Sequence, residues 1–383
     1  TAIIAICLIL ICAFPGPALG GEDGGCLPEI VGSSSITPDA RGVFVKDQYA
    51  YVADAKVGLY VFDVKDPASP EFLSLLQIDY GASKLFVTSL YAFVISGDGY
   101  LYILKIEDPS NPVVLKTVYL GLGSCWRRIF VSGGYVHLAN SCQPDEVGAS
   151  ISSGTNASYF IVDARDPNKP LVKEVKAFPY ENFTDVCVKD GVSYLRGSNY
   201  TEYFPHLLAY DVSDPASPKK MGDLLVGGMG TGLDVSGSYA YTGHTMLGNP
   251  PNLSIYDVSD LDKIQLAGSA EIPECCADRI LVNSGLAYLS VSETKNLSPN
   301  VYIVDVSDPS WPSLTGSVAM PDKVYDLYQS GNYLFVANGA KGLQVVRLQG
   351  TQAPAVIGSL NVKGEPKAVD AGNGYACLAA QDN

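Results

Sequence analysis

YIVDVSDPSWP, residues 302–312, runs from β-branched and aromatic residues into Asp-Val-Ser-Asp-Pro and reaches a second proline three residues later. Nearly the same phrase stands at 60–70 (YVFDVKDPASP), 102–112 (YILKIEDPSNP), 159–170 (YFIVDARDPNKP) and 209–218 (AYDVSDPASP), with a looser copy, IYDVSDLDK, at 255–263. The apolar run is too short for a helix and too continuous for a half-exposed strand, so it reads as a strand covered on both faces. Proline lacks the N–H that a ladder needs and the preceding Asp accepts a turn hydrogen bond, so Asp-Pro ends that strand. The second proline launches another strand, as in PSLTGSVAM at 312–320.

Upstream of each phrase stand two β-rich runs around a tight polar turn, GVFVKDQYAYVA at 42–53 and LDVSGSYAYTG at 233–243, which predict a hairpin. Aligned on the residue after that turn, the copies are anchored at Tyr49, Tyr91, Tyr135, Val192, Tyr239, Leu286, Tyr333 and Tyr375, spaced by 42, 44, 57, 47, 47, 47 and 42 residues. Self-similarity at this period, with four strands per copy, is the mark of a propeller blade.

The alternation of SGxYAYVA-like and GLxIVDVSDPxxP-like phrases resembles the LVIVD-repeat β-propeller proteins over residues 40–383. The resemblance implies an extracytoplasmic propeller with no shared catalytic motif.

Seven units carry all four strands, and an eighth, GEPKAVDAGNGYACLAAQDN (364–383), stops after its second. PEIVGSSSIT (28–37) aligns with the fourth strand PAVIGSLNV (354–362), so the N-terminal strand is expected to close the last blade and hide its edge. The expected fold is all-β: an eight-bladed propeller of four-stranded antiparallel blades, with seven blades as runner-up. Three sources stand open for the missing third strand: sequence beyond Asn383, the β-branched segment AIIAICLILI (2–11), or another subunit, which would build a polymer.

The chain opens with an apolar run broken by Pro15 and Pro17, with Ala18 and Gly20 placed like a signal-peptidase site. Residues 1–20 therefore read as a secretion signal or apolar N-terminal segment, clipped at its start since Thr1 is not Met, and 21–383 as a single propeller domain. No other apolar stretch is long enough to span a membrane. A net charge of -15 opposes binding to nucleic acid or anionic lipid.

Export would let cysteines pair. Cys125 and Cys142 flank the Gly133-Gly134 turn symmetrically and are expected to form a disulfide; Cys26, Cys187, Cys275, Cys276 and Cys377 have no assigned partners. Between second and third strands, units three to six carry long insertions, the default binding surface of a rigid scaffold. Asn156, Asn182, Asn199, Asn252 and Asn296 are sequons. Trp126, Arg127, Arg128, Tyr200, Tyr203, His206 and His244 are the candidate binding-face residues; Arg128 and its neighbours have snorkelling or pairing with acids as the bland alternative. His137 reads as a packed strand residue. Neither Cys/His ligand spacing nor any nucleophile motif is present, the recurrent Asp residues are explained by turn capping rather than calcium, and no repeated polar set is expected around the channel. The functional expectation is a secreted or cell-surface, non-enzymatic interaction or structural module for a protein or glycan, self-assembling through its incomplete last blade; the rival is a propeller hydrolase or lyase with a central-channel site.

Overall fold

A computed structural model describes residues 7–11, 29–34, 39–66, 69–120, 126–140, 159–175, 181–199, 205–226, 232–243, 253–273, 277–291, 299–348, 354–372 and 375–381. The chain divides into two compact units, Thr1–Thr117 with Glu293–Asn300 and Ser317–Asn383, and Val118–Ser292 with Val301–Gly316.

Seven four-stranded antiparallel sheets are each made of four consecutive strands, which is the runner-up count of blades. Another four-stranded sheet is assembled differently, from Glu29–Ser34, Cys7–Ile11, Tyr375–Gln381 and Glu365–Gly372 in that spatial order. Glu29–Ser34 thus occupies the fourth-strand place expected of it. Cys7–Ile11, part of the apolar N-terminal run, lies in the third-strand place, paired with Glu29–Ser34 on one side and Tyr375–Gln381 on the other.

Burial follows position in the sheet. Third strands such as Gly58–Asp63 and Tyr159–Asp163 are buried up to their last residue, because apolar side chains on both faces meet neighbouring sheets. Fourth strands such as Val113–Tyr119 are largely exposed. In each of the seven consecutive sheets, seven residues join the third strand to the fourth, at 64–70, 106–112, 164–170, 212–218, 258–264, 306–312 and 348–354.

The corner's chemistry matches the sequence reading. The Asp that ends a third strand accepts the amide two residues on, as in Asp63 from Lys65 at 2.8 Å, Asp211 from Ser213 at 2.9 Å and Asp305 from Ser307 at 2.9 Å. The Asp before proline repeats the device: Asp308 accepts the Ser310 N–H at 3.0 Å, and its carbonyl accepts that of Trp311 at 3.0 Å. Two successive Asx turns thereby satisfy the amides that the bend removes from the ladder.

A bulge recurs in the first strands, between Ala40/Gly42, Ala82/Lys84, Trp126/Arg128, Phe183/Asp185, Ala277/Arg279 and Pro366/Ala368. The residue after it stands seven positions before the second strand's first residue. Bulges re-aim side chains, and one of them stands immediately before Asp185.

Candidate functional site

In the second unit, Asp185 sits directly after such a bulge, on strand Glu181–Lys189. Its carboxylate receives both preceding and following sheets. Arg128 Nη1, from strand Trp126–Ser132, donates to the two Asp185 oxygens at 2.9 and 3.0 Å. The amide of Leu233, first residue of strand Leu233–Ser236, donates at 3.3 Å, and Val186 donates its own at 2.9 Å. Asp234 repeats the link one sheet on, accepting from Val282 at 2.7 Å and Val235 at 2.8 Å. Burial raises Asp234 above the usual carboxylate range while both amides pull it down. Asp185 holds the Arg128 guanidinium charged against the cost of burial.

The first unit carries the same device. Asp326 accepts from Val369 at 3.2 Å, and Asp370 accepts from Val45 at 2.7 Å and Ala371 at 2.9 Å. Burial pushes Asp370 up to about 6 against the pull of the Val45 and Ala371 amides, with a smaller upward push from the Asp326 charge. Beside the expectation that no polar set repeats around the channel stands the finding that four carboxylates repeat along the first strands, two standing seven residues before the second strand (Asp185, Asp326) and two standing five before it (Asp234, Asp370). Acids in TDVCVK, YDLYQS, LDVSGS and AVDAGN were the available signal. It is faint because the two registers differ.

Beneath the Arg128–Asp185 pair, Arg196 is fully buried on strand Val192–Asn199 and is pushed down to about 10 by burial, against the favourable nearness of Tyr256 and Asp185. Cys187 lies buried beside this group, its thiol raised to about 11 by burial and by Asp234. A thiol so held is a poor nucleophile at neutral pH.

The ends of the second strands separate short connections from long ones. Asp54 is buried and accepts amides from Lys56 and Val57 at 2.9 and 3.0 Å, closing its short turn, and from Asp39 at 2.6 Å on the incoming chain. Ser96 exchanges hydrogen bonds with Tyr100 across the next turn. Asn338 Nδ2 donates to the Asp322 and Lys323 carbonyls, the second at 3.3 Å. Asn140 occupies the same place in the second unit, where the connection is 141–158. It is fully buried, and among the described residues neither its Oδ1 nor its Nδ2 has a hydrogen-bond partner. Long connections also fall at 200–204 and 244–252 in the second unit, and at 292–299, where Glu293–Asn300 belongs to the first.

Of the sequence candidates, Arg128 takes its bland alternative, pairing with an acid. Trp126 and Arg127 lie on the same strand. His206 Nδ1 is 2.7 Å from Asp223 Oδ1, whose other oxygen accepts Lys220 Nζ at 2.5 Å; these contacts draw Asp223 below its ordinary range despite its burial. His137 is buried, its Nδ1 2.6 Å from the Tyr159 hydroxyl, and burial lowers it to about 4. Asn182 and Asn199 are strand residues. Cys125, Cys142, Tyr200, Tyr203, His244, Asn156, Asn252, Asn296, Cys26, Cys275 and Cys276 lie outside the described residues. Cys187 and Cys377 are buried. Among the described residues no group of three or more His, Cys, Asp or Glu is placed to hold a metal ion, and no helix is long and apolar enough to cross a membrane.

Four-stranded antiparallel sheets tied edge to edge by first-strand carboxylates define the protein as an all-β β-propeller. Residues 38–75, 81–119, 295–320 and 323–347 match the LVIVD repeat model, so the chain is a β-propeller carrying LVIVD repeats. Among solved structures, the computationally designed Ika8 protein is similar at 11% identity, covering 90% of this chain and 94% of that one with TM-score 0.66. Sqt1 of Saccharomyces cerevisiae is similar at 8% identity, covering 91% and 97% with TM-score 0.65. AztD of Citrobacter koseri is similar at 15% identity, covering 82% of each chain with TM-score 0.55. At such identities the likeness concerns the fold alone. No curated protein matches.

Proposed function

We propose that this propeller is a secreted or cell-surface interaction module, non-enzymatic, that binds a protein or glycan through the long connections of its second unit. The observation that carries the reading is the contrast between Asp54, Ser96 and Asn338, whose side chains lock short turns, and Asn140, buried with its amide unpartnered among the described residues where the connection lengthens. A rigid frame that tightens some turns and releases others concentrates variable sequence on one set of sheets. The five sequons support an extracytoplasmic setting. Asp185, Asp234, Asp326 and Asp370 each bond backbone amides, which supports a structural role for these acids over a channel hydrolase or lyase.

The test is binding of the purified protein to glycan and protein panels, with Tyr200→Ala/Tyr203→Ala as the loop variant. Binding reduced at least tenfold in that variant, with folding intact, is the expected result; tenfold corresponds to about 1.4 kcal/mol. Turnover of an ester or glycoside that is lost in Asp234→Asn would replace this reading with the enzymatic one.

A further inference from the structure

The sheet built from both chain regions has one strand unlike every other third strand. Each of the seven consecutive sheets delivers its third strand to its fourth through a seven-residue corner, whereas Cys7–Ile11 reaches Glu29–Ser34 through residues 12–28. Those seventeen residues extend to roughly 55 Å at about 3.3 Å each. Five other third strands end in the Asp that caps the corner, namely Asp63, Asp163, Asp211, Asp257 and Asp305; Cys7–Ile11 ends in Ile11, followed by Cys12. The short corner shared by the seven consecutive sheets therefore has no counterpart in length here.

The place itself is demanding. Cys7–Ile11 pairs residue for residue with Tyr375–Gln381, from Cys7↔Ala379 to Ile11↔Tyr375, and on its other edge with Glu29–Ser34. Ala376, Cys377, Leu378, Ala379 and Ala380 beside it are at most 1% exposed. With the strand withdrawn, a row of amides and carbonyls in mid-sheet would lose its partners, which is the template that strand addition recognises.

The geometry points to a strand-acceptor site between Glu29–Ser34 and Tyr375–Gln381 whose occupant, residues 7–11, is exchangeable between copies of this chain. A long tether and a slot filled by main-chain pairing are the conditions under which an identical element swaps at low cost. The inference goes beyond the loop-binding reading and uses different sheets, so either can fail alone.

Ile9 and Cys377 are directly opposed, at a separation that a disulfide spans. The Ile9→Cys chain, oxidised at low concentration, is expected to link residues 9 and 377 within one molecule. For exchange, a tagged Ile9→Cys/Cys377→Ala chain is mixed with an untagged unsubstituted chain at high concentration, oxidised, and mapped by peptide mass. A 9-to-377 link between the two chains is expected, its fraction rising severalfold for about a tenfold rise in concentration, as mass action requires. An intramolecular link with no mixed product overturns exchange; absence of both links overturns the slot. Sedimentation of the unsubstituted chain guards against misfolded variants: a single monomeric species at every concentration, before and after refolding, overturns the inference.

Discussion

The Asp370 carboxylate accepts the Val45 amide at 2.7 Å, bridging positions 325 apart in sequence and fastening strand Glu365–Gly372 to strand Ala40–Lys46. No cation takes part in the bond. A carboxylate bonded to backbone N–H groups, with another acid, Asp326, and the Tyr328 phenol nearby, is a proton-sensitive fastening.

Its pH dependence has a definite sign. The folded-state value, about 6, lies above the ordinary 3.8, so folding favours the protonated acid. The contribution is fully present below about 3.8 and is lost as pH rises through about 6, by roughly 3 kcal/mol in all. Urea unfolding of the unsubstituted protein and Asp370→Asn at pH 4 and pH 8 checks this. The stability difference, unsubstituted minus variant, is expected to fall on going to pH 8; a flat or rising difference contradicts it.

His137 carries the opposite slope. Burial beside Tyr159 lowers it to about 4, so its contribution is present above the ordinary 6.5 and is lost as pH falls toward 4. An NMR titration of its ring protons is expected to give a midpoint near 4 in the folded protein. A midpoint between 6 and 7 would mean the ring reaches solvent.

Arg128 and Asp185 act as a pair. Arg128→Met leaves a buried carboxylate facing only amides, and is expected to cost about 1–3 kcal/mol, discounted because the guanidinium is itself 32% exposed. Adding Asp185→Asn is expected to recover part of that loss. Additive losses in the double-mutant cycle would show that the two side chains do not couple.

The glycine before a third-strand leucine is required by close approach. A Cβ on Gly58 (φ 141°) would stand 2.2 Å from the Leu76 carbonyl oxygen, and one on Gly342 (φ 75°) 2.0 Å from that of Leu360. Gly237 (φ 59°), in a hairpin turn, has nothing within 4 Å. Alanine at 58 or 342 is expected to cost upward of about 3 kcal/mol and at 237 about 1 kcal/mol. Equal effects in thermal melts would refute the backbone-contact explanation.

These positions also show what a sequence makes legible. The Asp-Pro corner, the Gly-Leu entry and the hairpin turns are local solutions to backbone bonding, so they recur as readable words: Asp305 and Ser307 are two residues apart and bonded to each other. The fastening of Asp234 to Val282 spans 48 residues, and the fastening acids stand in two registers, Asp185 seven residues before its second strand and Asp234 five before its own. Nothing in LDVSGS announces that choice. Arg128 was visible as a charge on a strand, but its partner Asp185 lies 57 residues away and becomes apparent only once the sheets are packed.

Asp234 and Asp370 accept backbone amides, neutral donors whose hold dissolved ions screen little. The same chain carries fifteen excess negative charges, whose mutual repulsion salt does relieve. Brine therefore acts on the two terms unequally, calming the surface while leaving the seams between sheets intact, and a molecule built this way gains cohesion as its surroundings become more saline.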